Sequence, residues 1–369
     1  MTIPSELAGA TLTINLAALA DNWATIARQV APATCGATVK ADGYGCGLCE
    51  VSKTLAQAGC NTFFVALPME GKELRETLPD AIIYILDGLL AGQTGFYKAH
   101  NLRPCLASPE ELVEWADQTE GNYPAAVHVD TGINRLGLDD RQARELAGNA
   151  SLINKAGICL IMSHLACGDD ETDDANTDQR DRFNEVRQLF PGLPASLANS
   201  PGTYLGPDYQ YDLVRPGVAL YGGNPFASRT NKLKPVVSLS ASVLQVRQIA
   251  TGDGVGYGAS WKAQRPSRIA IIGVGYADGM SRAMSWPAFR NGPSMVIIAG
   301  HKAPIVGRVS MDMITLDVTD IPHEDVVRGS KVELLGSAIT VDDWARWSGT
   351  IPYEILTSLG RRYVKVYSS

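Results

Sequence analysis

The chain has 369 residues, of which 45% are hydrophobic, and its formal net charge is −7. This length predicts about two globular domains. The acidic balance, without any run of basic residues, excludes a general nucleic-acid binder. No stretch of about 18 apolar residues is present, so no membrane span is predicted. The first residues also lack the basic and apolar regions of a secretory signal, which together predicts a cytoplasmic protein.

The seven cysteines are an odd number, which favours reduced thiols over a disulfide framework. Cys46 and Cys49 form a C-x-x-C pair that would permit a redox role. A zinc site would need a second pair or histidines at ligand spacing, and the sequence has neither. We therefore favour two unlinked thiols and predict no metal site.

Short apolar runs alternate with longer amphipathic stretches through the first two-thirds of the chain. The helix after residue 107 has a clear start, because Ser108 suits an N-cap and Pro109 the first helical position. Alternating strands and helices imply parallel pairing, and eight such units predict an N-terminal (β/α)8 TIM-like barrel. An open doubly wound sheet is the alternative. The eight predicted strands are Cys35–Lys40, Thr62–Ala66, Ala81–Leu86, Leu102–Leu106, Ala125–Asp130, Gly157–Ser163, Pro194–Asn199 and Val214–Tyr221.

The pattern changes near Pro235, after which short β-type runs dominate and predict a mainly β C-terminal domain. We assign residues 1–10 to an N-terminal extension that joins the β domain, 11–233 to the barrel and 234–369 to the β domain. The run Thr11–Ile14 could add a strand to the β domain. The predicted elements of this domain are strands at Val236–Gln248, Ser267–Gly275, Ser294–Ile298, Ala303–Val309, Ile314–Val318 and Lys331–Leu335, and helices at Val341–Arg346 and Tyr353–Leu359.

Polar side chains stand where the predicted barrel strands end, which is where barrel enzymes place their chemistry. Burial at such a strand end would lower the pKa of Lys40, and a neutral amine can form a Schiff base with an aldehyde cofactor. The other candidates at strand ends are Asp130 with Arg135, His164, Asn199 with Ser200, and Arg215 with Tyr221.

A phosphate site is indicated by the loops around these residues. Tyr44 and three glycines follow Lys40, and glycine lets backbone N–H groups approach an anion closely. The loops at Asn199–Gly202 and Arg215–Val218 fall at the seventh and eighth strands, the usual phosphate-binding place of such barrels. A phosphorylated aldehyde, pyridoxal phosphate (PLP), fits both features.

Seven short segments, in order along the whole chain, resemble the alanine racemase family. The resemblance implies a PLP-dependent barrel followed by a β domain, and a homodimer whose subunits share active sites. It also implies interconversion of L- and D-alanine for bacterial-wall precursors. The segments are Val39–Gly45, Asp130–Gly137, Arg215–Gly222, Gly256–Gly258, Gly275–Gly279, Gly307–Asp312 and Pro352–Glu354.

The resemblance also assigns residue roles. Lys40 would hold PLP and act as one base, and Tyr257 of the partner subunit would act as the other. Two bases on opposite faces of a planar carbanion are what racemisation requires. Arg215 would face the pyridine nitrogen with His164 as its neighbour, Asn199 would lie beside the cofactor, and Tyr276 would narrow the entrance. The implied phosphate contacts are Tyr44, Ser200, Gly217, Val218 and Tyr353, and the implied substrate-carboxylate contacts are Arg135 and Met311 of the partner subunit.

Three positions depart from the family pattern. Cys46 stands where His is usual and Gly43 where Ala is usual, both in the loop after Lys40. His128 occupies a position where many members carry a lysine that becomes carbamylated and steadies the neighbouring arginine. Arg135 must then be held in another way, with Asn134 or a bound anion as candidates.

Three other functions remain open at the level of sequence. A racemase of another or broader specificity, such as serine, would share every motif. A decarboxylase on the same two-domain plan would not need Tyr257 as a second base. A non-catalytic PLP carrier would keep the lysine and barrel but usually lacks the β domain.

Overall fold

The computed structural model describes residues 9–226, 228–286 and 292–369. Residues 1–8 of the predicted N-terminal extension lie outside the described residues. The chain forms two compact units. The β unit comprises the described residues up to Ala18, Tyr221–Gly223 and Lys234–Ser369, and the barrel unit comprises Leu19–Leu220 and Asn224–Leu233. The first segment of the β unit thus ends at Ala18, whereas the sequence-based division begins the barrel at residue 11.

The reason for this difference is the first strand, β1 (Ala10–Asn15). It pairs antiparallel with β11 (Val237–Ile249) and parallel with β19 (Val364–Ser368). Its inward residues Leu12 and Ile14 are buried, as the alternating pattern of this segment predicts. The run Thr11–Ile14 therefore adds a strand to the sheet of the β unit.

The barrel unit contains parallel strands in sequential order from β3 to β9. The main-chain bonds of β10 close the ring. Asp212 and Arg215 donate N–H to the carbonyls of Ala195 and Ala198, and Gly36 donates to Val214. Closure confirms the barrel and excludes the open sheet. The strands are β2 (Thr34–Cys35), β3 (Ala37–Thr38), β4 (Thr62–Val65), β5 (Ile82–Ile85), β6 (Arg103–Leu106), β7 (Ala125–His128), β8 (Ile158–Met162), β9 (Ala195–Ser196) and β10 (Leu213–Val214).

Helices lie between these strands along the chain. Ser108 caps α6, because its Oγ accepts the N–H of Glu111 at 3.2 Å, and Pro109 is the first helical residue, as predicted. The helices are α1 (Leu16–Val30), the short turn α2 (Lys40–Tyr44), α3 (Leu48–Gln57), α4 (Pro68–Thr77), α5 (Thr94–Ala99), α6 (Pro109–Thr119), α7 (Asp140–Ala147), α8 (Ala150–Lys155) and α9 (Ala175–Leu189).

One predicted strand is much shorter than expected. The run Val214–Tyr221 was predicted as a strand, but only Leu213–Val214 pairs, and Val218–Tyr221 forms a 3-10 turn. Pro216 lacks an N–H for the ladder, so the strand cannot continue through it. The strand therefore ends at Val214, although the N–H of Arg215 still donates to Ala198, and the residues after Pro216 form a loop.

The β unit is built on an eight-stranded sheet with the order β14, β17, β16, β15, β18, β11, β1, β19, and β11 also pairs with β14. The mainly β prediction for this region is confirmed, although β19 had not been predicted. The remaining elements are β12 (Gly254–Val255), β13 (Trp261–Lys262), β14 (Ser267–Ile272), β15 (Met295–Ile298), β16 (His301–Val306), β17 (Ile314–Asp317), β18 (Lys331–Leu335), α10 (Val341–Ser348) and α11 (Pro352–Thr357).

None of the seven cysteines, all of which are described, forms a disulfide. Cys46 is buried with its Sγ near the carbonyl of Tyr44, whereas the Sγ of Cys49 lies 3.5 Å from the carboxylate of Glu73. The two residues of the C-x-x-C pair are thus separate thiols, as the sequence indicated. Within the described ranges, no helix combines the length and apolar character needed to cross a bilayer.

Candidate active site

The barrel strands place the predicted polar residues at one edge. Because parallel strands in a ring all end on the same side, residues that follow them converge at the carboxyl mouth. Lys40 comes two residues after β3, His164 two residues after β8, and Arg215 directly after β10. Asp130 and Asn199 follow β7 and β9 in the same way.

Lys40 is half-buried at this mouth. Its pKa is lowered, first because burial disfavours the charged ammonium, and second because the positive charge of Arg135 repels it. The carboxylates of Asp87 and Glu70 act in the opposite direction. The lowered pKa increases the share of the neutral amine, which is the form that can attack a carbonyl or accept a proton.

The backbone after Lys40 follows an unusual left-handed path. Ala41, Asp42, Gly43 and Tyr44 have φ values of 54°, 56°, 59° and 55°. Residues with a Cβ pay about 1–2 kcal/mol each for this conformation, so the surroundings must hold the turn. Asp42 contributes by accepting the N–H of Leu48 at 2.9 Å, and this turn carries Tyr44 into the barrel mouth.

Arg215 is buried, with 4% of its surface exposed, and all its polar contacts lie within the barrel unit. Its Nη1 donates to the Ser196 hydroxyl, and its Nη2 donates to the Ser163 carbonyl at 2.6 Å. Nη2 also lies 3.4 Å from Nδ1 of His164. Burial lowers the pKa of Arg215 to about 10, which still leaves the guanidinium charged at neutral pH.

His164 lies between two polar side chains. Its Nδ1 faces Arg215, and its Nε2 lies 3.3 Å from Nδ2 of Asn199. The pKa of His164 is lowered well below its ordinary value, mainly by burial and then by the charge of Arg215. The ring is therefore neutral at pH 7, and Nδ1 can accept a hydrogen bond from the guanidinium, which only donates.

Ser200, Gly217 and Tyr44 form a cradle suited to a phosphate. The Ser200 Oγ accepts the N–H groups of Gly217 at 2.8 Å and Ala219 at 3.3 Å, so its own hydrogen can be donated to an anion. A Cβ added to Gly217 would lie 2.2 Å from the Tyr44 hydroxyl oxygen. Only glycine allows this close approach, and Val218 follows it at the start of a 3-10 turn. Hydroxyl and backbone donors are the groups that bind phosphate, so these residues fit the phosphate of PLP.

The loop of Arg135 is shaped by Asp130. One carboxylate oxygen of Asp130 accepts the N–H groups of Gly132, Ile133 and Asn134 at 2.9–3.2 Å. Among the described residues, the exposed Arg135 guanidinium makes no hydrogen bond, and the Asn134 side chain donates to Gly132 instead. The Arg135 charge remains available to a ligand carboxylate at the mouth.

His128 lies beneath this loop and is 5% exposed. Burial, and then the charge of Arg215, lowers its pKa to about 4. Its Nε2 has no hydrogen-bond partner among the described residues. A neutral histidine cannot replace an anionic carbamate beside Arg135, so this position does not steady the arginine by charge.

The remaining predicted residues belong to the β unit. Tyr257 is 71% exposed, and the glycines on either side of it, Gly256 and Gly258, both have a φ of 71°. The guanidinium of Arg308 lies near Gly258. Tyr353 lies half-buried on α11. An exposed tyrosine on a glycine-flanked turn is accessible to a second molecule.

Tyr276 and Met311 are brought together by main-chain bonds. Tyr276 donates its N–H to Ser310 at 2.9 Å, and Ala277 donates to Met311 at 3.0 Å. Both side chains are exposed. Arg362 bridges the two segments, because it pairs in bidentate fashion with the buried Asp278 at 2.7 and 2.8 Å and also with Asp312 at 2.8 Å.

Several residues that shape the site were not found from the sequence. Ser196 could have been found, because it is a polar residue within an otherwise apolar predicted strand. Glu70 and Arg362 gave no signal for these roles, because Ala41 and Asp278, which they contact at the site, lie 29 and 84 residues away in the sequence. Their roles follow from contacts that only the folded chain creates.

A barrel with a partly desolvated lysine and a phosphate cradle at its mouth, followed by a separate β unit, defines a class of two-domain barrel enzymes with a lysine-bound phosphorylated cofactor. Comparison with known proteins identifies the family. The chain matches the alanine racemase N-terminal domain over residues 14–225 and the alanine racemase C-terminal domain over residues 236–367. The chain therefore belongs to the alanine racemase family.

Individual relatives agree with this assignment. The alanine racemase of Methylobacterium nodulans is 46% identical, over 97% of this chain and 96% of the relative. The biosynthetic alanine racemase of Agrobacterium fabrum is 42% identical, over 98% and 94%. A solved alanine racemase structure from Bartonella henselae, with covalently bound pyridoxal phosphate, superposes with a TM-score of 0.92 at 40% identity, over 98% of this chain and 100% of that one.

Proposed function

We propose that this chain is a PLP-dependent alanine racemase that interconverts L-alanine and D-alanine. The observation that carries the proposal is the position of Lys40, whose lowered pKa favours a neutral amine at the mouth of a barrel that also holds a phosphate cradle. Membership of the alanine racemase family supports the same activity. The relatives reported above are all alanine racemases, which favours this reading over a serine racemase, a decarboxylase or a non-catalytic carrier.

The barrel residues have distinct tasks in this proposal. Bound PLP supplies an electron sink that acidifies the hydrogen on the α-carbon of the amino acid. Lys40 holds the cofactor and, when its amine is free, moves a proton on one face of the substrate. Ser200, Tyr44 and the backbone at Gly217 and Val218 receive the phosphate, with Tyr353 as a further proposed contact.

Arg215 sets the protonation pattern around the cofactor ring. The Arg215 guanidinium, which donates to Ser163 and faces His164, can only donate hydrogen bonds and cannot accept one. A ring nitrogen placed against it would therefore accept a hydrogen bond and stay unprotonated. A neutral His164, with Asn199 beside it, places no second acidic proton donor next to Arg215. This environment weakens the electron sink and disfavours side reactions.

The second base and part of the substrate site are proposed to come from a second copy of the chain. Tyr257 of the partner subunit would act on the opposite face from Lys40, and Met311 of the partner subunit would join Arg135 at the substrate carboxylate. Tyr276 would narrow the entrance. The support is the exposure of these apolar side chains, since exposed apolar groups commonly mark contact surfaces. A homodimer in the cytoplasm, supplying D-alanine for peptidoglycan, completes the proposal.

The proposal is tested by measuring racemisation of L-alanine and L-serine in deuterated solvent. We expect the wild type to racemise alanine preferentially and to incorporate deuterium at the α-carbon. Borohydride reduction should attach the cofactor to the peptide that contains Lys40. Lys40→Ala should abolish both the attachment and racemisation.

Tyr257→Phe isolates the second base. We expect racemisation to fall at least about 10²-fold, the usual contribution of a positioned proton-transfer group. Exchange of the α-hydrogen of one enantiomer should persist, because Lys40 still serves one face. Unchanged racemisation in both directions would exclude the two-base scheme, and a colourless protein indifferent to added PLP would exclude the function.

A further inference from the structure

Helix α9 presents a glutamine to the two loops that carry Arg135 and His164. Gln179 is 2% exposed and lies on the buried face of the helix, which also includes Phe183 and Val186. A buried primary amide is costly unless its donors and acceptor are all used. Its partners therefore indicate what the side chain does.

All three recorded partners of Gln179 belong to the active-site loops. Its Nε2 donates to the His164 carbonyl at 3.0 Å and to the Thr131 hydroxyl at 3.3 Å. Its Oε1 accepts the N–H of Ala166 at 2.7 Å. The Gln179 amide thus forms hydrogen bonds with the backbone on both sides of Leu165. It also binds the Thr131 side chain at the start of the loop after β7.

Each of these loops also has hydrogen bonds that do not involve Gln179. Asp130 organises the loop that leads from Thr131 to Arg135, as described above. The Thr131 hydroxyl also lies 2.8 Å from the Ser163 hydroxyl, and the Ser163 carbonyl receives a hydrogen bond from Arg215. Gln179 therefore joins two preformed pieces, one that carries Arg135 and one that carries His164.

We infer that Gln179 is a positioning residue that fixes the Arg135 loop relative to His164 and so sets where the substrate carboxylate is held. The inference rests on the proposed function, in which Arg135 binds that carboxylate. Only an amide fits all three partners together. A carboxylate would place an oxygen against the His164 carbonyl, and a thioether would contact none of the three.

The test compares Gln179→Glu and Gln179→Met with wild type, and uses Gln188→Glu as a matched control. Gln188 lies on the same helix but is exposed. We expect KM for alanine to rise at least about tenfold in both Gln179 variants, in keeping with lost substrate positioning. The wavelength of cofactor absorption and the Lys40 attachment should be unchanged, and Gln188→Glu should match wild type.

A second readout does not depend on turnover. Hydrogen exchange of the cofactor-free protein should increase in peptides that cover residues 131–136 and 164–166 in Gln179→Met, and not in Gln188→Glu. The inference would be overturned if the Gln179 variants lost activity only in proportion to the fraction of unfolded protein, while KM and local hydrogen exchange stayed unchanged.

The two proposals fail in different ways. If the wild type racemises alanine and the Gln179 variants have the wild-type KM and the wild-type local hydrogen exchange, only the role of Gln179 is overturned. If the wild type does not racemise alanine, both proposals are overturned, because Arg135 then has no substrate carboxylate to bind.

Discussion

The Glu70 carboxylate accepts the backbone N–H of Ala41 at 2.6 Å, immediately after Lys40. Its other oxygen accepts the N–H groups of Ala66 at 2.9 Å and Leu67 at 3.0 Å. One side chain at the start of α4 therefore ties the left-handed turn after β3 to the loop after β4. This contact explains how a strained backbone persists beside Lys40.

We predict that Glu70→Gln destabilises the cofactor-free protein by about 1–3 kcal/mol, because an amide cannot accept all three N–H groups and hydrogen bonds to a charged group are the stronger kind. Urea unfolding at pH 7.5 measures this free energy. Glu76→Gln removes a carboxylate from the same helix that forms an exposed pair with Lys72. It should change the free energy of unfolding by less than about 0.5 kcal/mol. Equal effects of the two substitutions would contradict the role of Glu70.

The pH dependence of cofactor attachment should report the environment of Lys40. Arg135 lowers the pKa of Lys40 and Glu70 raises it. Since attachment requires the neutral amine, Arg135→Gln should move the onset of attachment to higher pH, and Glu70→Gln should move it to lower pH. The rate of PLP attachment to the cofactor-free protein is measured between pH 6 and 10.

Arg141→Gln is the control for that series, because Arg141 is an exposed residue of α7 that pairs with Glu145. It should leave the onset where wild type has it. Shifts of Arg135→Gln and Glu70→Gln in the same direction would rule out the electrostatic explanation.

Stability should fall as the solution is acidified, in part because of His128. Its folded-state pKa of about 4 lies below its ordinary value of 6.5, so the unfolded chain binds a proton that the folded chain does not. The contribution of His128 to the free energy of unfolding is complete above about pH 6.5. It is lost as the pH falls toward 4, by about 3–4 kcal/mol at most. Urea unfolding at pH 7.5 and pH 5 gives the slope.

His128→Asn should reduce this pH slope, whatever its effect on stability at pH 7.5. His301→Asn, at an exposed position of β16, should leave the slope unchanged. If His128→Asn keeps the full wild-type slope, other groups account for the acid sensitivity.

Gly217→Ala should damage the phosphate cradle, because the added Cβ would lie 2.2 Å from the Tyr44 hydroxyl oxygen. Overpacking of this kind costs about 1–3 kcal/mol, and PLP should bind at least about tenfold more weakly. The loss of stability should be smaller when Tyr44→Phe is also present, since the clashing oxygen is then gone. Fluorescence titration with PLP and urea unfolding provide the two measurements.

Gly95→Ala is the matched control, because no atom lies within 4 Å of a Cβ at that position. It should bind PLP like wild type. Strictly additive effects of Gly217→Ala and Tyr44→Phe on stability would show that the two positions do not interact.

The sequence predicted the elements that depend on short-range patterns. The apolar runs at Thr62–Ala66 and Lys331–Leu335 are strands, and Ser108 caps its helix through a partner only three residues away. The predicted length of the last barrel strand was wrong, because the apolar residues beyond Pro216 have the composition of a strand. Their backbone forms a 3-10 turn instead, since proline interrupts the ladder.

The sequence by itself determined which side chains follow the barrel strands, because strand periodicity and chain order place Lys40, His164 and Arg215 at strand ends. Only the tertiary structure decided what holds them. Arg215 meets Ser163 across 52 positions, Gln179 meets Thr131 across 48, and Ala41 meets Glu70 across 29. Such contacts arise when the ring of strands closes, so no local pattern in the chain encodes them.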